Sequence, residues 1–138
     1  MGDQVSPGFV NGGPRVILRL EGLALLLGAV GLYYHLGLSW KFFAILFFAP
    51  DLSFIFFVFG PRVGAFAYNT VHSTVGALIV LAASFVIANP WLMPVGLIWL
   101  SHVGFDRALG YGLKYGTAFG DSHLGRMGRR KDVIETPA

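Results

Sequence analysis

The chain has 138 residues, of which 55% are hydrophobic and only 12% charged, with a mean hydropathy of +0.67 and a formal net charge of +3. Soluble domains carry about 25% charged residues, so this composition excludes an ordinary water-soluble globule and points to a membrane protein. The absence of cysteine excludes disulfides, thiolate metal sites and cysteine nucleophiles.

In chain order, residues 1–14 ("MGDQVSPGFVNGGP") are polar and rich in Gly and Pro, which predicts a flexible N-terminal segment without a cleavable signal pattern. Four apolar runs follow. They are Arg15–His35, Trp40–Phe59, Pro61–Ala88 and Pro90–Tyr111. Each is close to the roughly 20 residues that cross a bilayer as a helix. The runs are continuous rather than alternating, so they read as helices and not strands. The fold expected is therefore all-α: residues 15–112 as an integral membrane bundle of four transmembrane helices, with tight links at "LGLS" and "ANP" that make neighbours antiparallel. Residues 113–138 are a Gly-rich basic tail.

Charge placement orients the bundle. With four spans, Arg15, Arg19, Arg62, Arg107, Lys114, Arg126, Arg129, Arg130 and Lys131 fall on one side and only Lys41 on the other. The excess of Lys and Arg marks the cytoplasmic side, so both termini are expected inside. The basic residues flank apolar segments or sit in the tail, so the pI near 9.5 does not point to nucleic acid. Arg126, Arg129, Arg130 and Lys131 are expected to meet anionic lipid headgroups. The partners implied are the lipid bilayer and either a second copy of the chain or a larger membrane complex.

Several residues do not belong in hydrocarbon. Glu21 lies in the first run, Asp51 beside Pro50 in the second, Asn69 and His72 in the third, and His102 and Asp106 in the fourth. Ionisable groups inside spans cost on the order of 3 kcal/mol each and mark functional sites. At 1.5 Å rise per residue, Glu21 lies roughly 9 Å from the basic end, Asp51 roughly 16 Å, His72 roughly 15 Å, His102 roughly 13 Å and Asp106 roughly 8 Å. All fall in the cytoplasmic half, which predicts one convergent polar cluster. His102 and Asp106 are four apart and share a helix face. Two imidazoles with three carboxylates offer both nitrogen and oxygen ligands, so Glu21, Asp51, His72, His102 and Asp106, with His123 folding back from the tail, form a candidate divalent metal set for Zn or Fe.

The stretches "LRLEGLALLL", "FFAPDLSFIFFVFGPRVGAFAYNTVH", "IWLSHVGFDRALGYGLKY" and "FGDSHLGR" resemble the small bacterial membrane proteins grouped as domain of unknown function 4260. The likeness covers roughly residues 16–126. The family pattern has Thr before its last His, where this chain has Ser122 and so keeps a hydroxyl. The resemblance implies a multi-pass protein of the bacterial inner membrane and implies no activity. Four readings of the cluster stay open. One is a structural or assembly network in which Arg62 or Arg107 neutralises a carboxylate. The second is a metal-dependent membrane enzyme acting on a lipid-like substrate. The third is a proton or ion pathway. The fourth is a b-type haem site with His72 and His102 as axial ligands.

Overall fold

The computed structural model describes residues 12–113, together with 121–122 and 125–126. Its architecture is helical. Helix α1 covers Gly12–His35 and is stopped by Gly37, whose φ of +67° suits a residue without a side chain. Ser39 caps α2 (Trp40–Leu46), its hydroxyl accepting from the Phe42 N–H. Pro50 cannot donate to a helical ladder, and the second run changes there into a 3-10 helix, Ala49–Phe59. Gly60, at φ 114°, turns the chain into α3 (Pro61–His72), which packs back along the 3-10 helix with the Phe57 ring over Gly64. The third run is also broken. Ser73 is extended (φ −81°, ψ 153°) and separates α3 from α4 (Thr74–Ser84). Helix α5 (Leu92–Leu109) ends at Gly110, φ +90°. The other described residues hold one two-residue antiparallel pair, in which Asp121 faces Arg126.

Three stretches are long and apolar enough to cross a membrane: Gly12–His35, Trp40–Phe59 and Pro61–Ser84. The expectation of four is corrected by the last. Helix α5 carries His102, Asp106 and Arg107 within its 18 residues, and it is the most enclosed helix of the fold. Leu100–Gly104 are buried without interruption, so this helix meets protein on all sides there. Its neighbours are α1, α4 and α2. Because other helices take up its surface, α5 tolerates polar groups that an outward-facing helix could not hold.

Close approach makes this enclosure real. A side chain at Gly104 would lie 2.7 Å from the Gly22 carbonyl oxygen and the Leu26 nitrogen of α1. Small residues let helix backbones meet in this way. Ala29, Tyr33, Ala77, Leu97, Ile98 and Leu100 form the apolar core between α1, α4 and α5. The outside is the reverse of a soluble surface: Leu52, Val58, Phe66 and Phe85 are all at least 75% exposed. Continuous exposed apolar area of this kind marks a surface covered by lipid or protein.

Candidate metal centre

Each interruption in the helices delivers a polar side chain. Asp51 stands in the first turn of the 3-10 helix, directly after Pro50. His72 is the last residue of α3, at the break. His102 and Asp106 project from one face of α5, one turn apart. The break at Ser73 leaves the final carbonyls of α3 without helical partners, and α5 supplies the donors. Trp99 Nε1 donates to the Val71 carbonyl, and Arg107 Nη2 donates to the His72 carbonyl at 3.2 Å. Arg107 Nη1 reaches the Tyr111 carbonyl at 3.4 Å. The same helix therefore holds the backbone around His72 and contributes two of the four converging groups.

His72 is oriented from both sides of its ring. Its Nδ1–H donates to the Tyr68 carbonyl at 3.0 Å, and the Tyr68 ring stacks on it at 3.7 Å with planes 8° apart. A carbonyl only accepts, so Nδ1 carries a proton and Nε2 is the ring atom turned toward the other three groups. That nitrogen lies 3.2 Å from Asp51 Oδ1, 3.5 Å from Asp106 Oδ2 and 3.2 Å from His102 Nε2. His102 Nε2 is 3.3 Å from the same oxygens of Asp51 and Asp106. All four atoms lie within 4.8 Å of one another. Both imidazoles are buried, while the Asp51 and Asp106 side chains are 35% and 14% exposed. His102 Nδ1 is buried next to the Phe47 backbone, without a hydrogen bond of normal geometry.

These distances have a simple geometric meaning. A tetrahedral ion with bonds of about 2.0–2.1 Å has ligand–ligand edges of about 3.3–3.4 Å. Five of the six edges here measure 3.2–3.5 Å. Four electron-rich atoms at that spacing repel one another unless a cation or shared protons lie between them.

Four of the residues singled out in the sequence thus come together: Asp51, His72, His102 and Asp106. Glu21 does not join them, and its expected place in the cluster is corrected. It is exposed on α1, because its depth matched the cluster but its helix face did not. Asn69 is half-buried on α3, three residues before His72, and is not among the four converging residues. His123 lies outside the described residues, as do Arg129, Arg130 and Lys131. Arg126 is described only in its backbone pairing with Asp121. Sequence reasoning missed Tyr68, Trp99 and the carbonyl-capping role of Arg107. Tyr68 lies four residues before His72 and so on the same helix face, which was the available signal.

A cleft of about 610 Å³ opens beside the group, lined by Phe48, Asp51, Phe54, Tyr68, His102, Phe105, Asp106 and Tyr111. Another cavity, of about 420 Å³, lies among Tyr33, Lys41 and Trp91 and is lined by none of the four converging residues.

Residues 15–127 match the family described as Domain of unknown function (DUF4260). The chain belongs to that family. The matched range includes all four converging residues of this DUF4260 protein. No curated protein and no solved structure matches it.

Proposed function

We propose that this chain is a membrane protein that holds one divalent ion, Zn²⁺ or Fe²⁺, between Asp51, His72, His102 and Asp106, and uses it in chemistry on a lipid-like substrate. The observation that carries this reading is that five of the six distances between the four atoms are 3.2–3.5 Å, close to the edges of a tetrahedral site. Two imidazole nitrogens and two carboxylate oxygens suit zinc or iron better than the all-oxygen preference of magnesium or calcium. The Tyr68 carbonyl behind His72 is the outer partner that a metal-bound histidine normally has. Asp51 is the most exposed of the four and lines the cleft. It is therefore the ligand beside which water or substrate would reach the ion, which would have to expand to five ligands to activate it.

The geometry favours this over the other readings. Two axial imidazoles of a haem need their nitrogens about 4 Å apart across the iron, with bonds of about 2 Å. Here they are 3.2 Å apart, with two carboxylates where the porphyrin would lie. For a proton pathway, the apolar core of Ala29, Ala77, Leu97, Ile98 and Leu100 stands where polar groups would have to continue. A structural network remains the second reading, supported by the way Trp99 and Arg107 tie α5 to the end of α3.

The proposed setting is the bacterial inner membrane. Arg19 reaches the Ala108 carbonyl and Arg15 lies near Gly110, so the start of α1 and the end of α5 share one basic end. We assign that end to the cytoplasmic side on the excess of Lys and Arg there. The basic tail, Arg126 to Lys131, would rest on anionic headgroups. Elemental analysis of protein purified in mild detergent tests the metal reading. About one zinc or iron per chain is expected, and a well-folded chain that stays metal-free after exposure to both ions would contradict it.

A further inference from the structure

This inference goes beyond the metal reading and does not depend on it. We infer that the cavity of about 420 Å³ beside Lys41 holds one anionic phospholipid, with its phosphate against the Lys41 ammonium and an acyl chain along the apolar wall. The volume is that of a small-molecule site. Leu38, Phe42, Ile45, Pro90, Trp91 and Pro94 supply the apolar walls, and buried Tyr33 the floor. The rings of Phe42 and Trp91, 5.5 Å apart, join α2 to the segment that enters α5. Lys41 and Ile45 are four residues apart on α2 and share a face, so the cation stands at one end of an apolar strip. The place along the membrane is also right for a lipid. Tyr33 lies roughly 27 Å along α1 from Arg15, so the cavity is at the far end of the bundle from the basic cluster. Tyr34, Trp40 and Trp91 are exposed at this end, and such residues sit at headgroup level in a bilayer.

Charge decides which lipid. The hydroxyls of the lining are committed: Tyr33 Oη donates to the Ser39 carbonyl at 2.5 Å, and the Ser39 hydroxyl accepts from the Phe42 N–H. Lys41 is exposed and has no hydrogen bond or ion pair among the described residues. Among those residues no Asp or Glu lines the cavity. The phosphate of an anionic lipid gives this cation its partner. A zwitterionic headgroup would bring a second cation to the same place, with no carboxylate in the lining to receive it.

The test is native mass spectrometry of the full chain in mild detergent, with phosphatidylglycerol and phosphatidylcholine of matched acyl chains at equal concentration. Wild-type protein should retain phosphatidylglycerol in preference to phosphatidylcholine. Lys41→Gln should cut that preference by about fivefold, the worth of one Lys near an anionic headgroup. Ile45→Trp keeps the charge and fills the apolar wall, so it should lose the same bound lipid. Both positions are exposed, and elution as the wild type in size-exclusion chromatography checks that the variants fold. Equal retention of the two lipids by the wild type would overturn the inference. So would an unchanged preference in Lys41→Gln, which would place the lipid at the basic end. Unchanged retention in Ile45→Trp would overturn it too, since the lipid would then be drawn to Lys41 without entering the cavity. None of these results bears on the metal content, so the two readings stand or fall separately.

Discussion

Replacing Gly22 by alanine tests whether α5 is held where the site needs it. A Cβ there would meet Arg107 Cβ and would lie 2.8 Å from the Ala108 nitrogen and 2.9 Å from the Arg107 carbonyl carbon. Ordinary van der Waals contact begins near 3.4 Å. Two of the atoms met are backbone, so no side chain can swing aside, and α1 must retreat from α5. Overpacking of this kind costs about 1–3 kcal/mol, and a backbone clash belongs at the upper end. For a chain of this size, about 3 kcal/mol corresponds to a fall in Tm of about 10 °C. Gly28 is the control: on the same helix, a Cβ there meets nothing within 4 Å. Gly28→Ala should be neutral or stabilising by up to about 1 kcal/mol, the helix-propensity gain of alanine over glycine. Thermal unfolding of both variants in the same detergent, followed by size-exclusion chromatography of the surviving fraction, makes the comparison. Equal melting of Gly22→Ala and Gly28→Ala would show that α1 and α5 do not meet there, and the enclosure argued for α5 would fail.

Further outcomes follow from the site. Asp106→Asn and His102→Ala each remove a ligand, and both should lower bound metal well below one per chain while the protein still elutes as a folded species. Glu21→Gln should leave metal content unchanged, because Glu21 is exposed and outside the converging group; a loss of metal in that variant would restore Glu21 to the site. Trp99→Phe removes the donor to the Val71 carbonyl. It should destabilise the protein by about 1–3 kcal/mol, the cost of an orphaned buried carbonyl, and should weaken metal affinity by roughly tenfold, as outer-shell changes do. A Trp99→Phe protein with wild-type melting would show that this bond does not hold the helix break.

Depth along the helices was readable from the sequence. Spacing alone put Asp51, His72 and His102 within a few ångströms of one another along the membrane normal, and their side chains do meet. The rotation of each helix was not readable. Helix α1 is apolar on nearly every side, so no stripe fixes its phase, and Glu21 was assigned to the interior when it faces outward. The helix breaks were half-visible. Pro50 cannot continue a helical ladder and so marks one break, but nothing local to Ser73 marks an extended residue, because that break depends on Trp99 and Arg107 capping carbonyls from a distant helix. The status of α5 was legible in part, since His102, Asp106 and Arg107 make it less apolar than the three stretches that qualify as spans. Its enclosure by protein was not legible, and packing against α1 and α4 shows it.

The most direct measurement of the central claim is the metal content of the purified wild-type chain set beside that of Asp51→Asn, with folding monitored in both. The account predicts about one zinc or iron per wild-type chain and a large loss in Asp51→Asn, since the substitution removes one of four ligands and one of the two charges that neutralise the ion. Wild-type protein that is folded, reconstituted with zinc and iron, and still metal-free would contradict the account and leave Asp51, His72, His102 and Asp106 as a proton-sharing structural network.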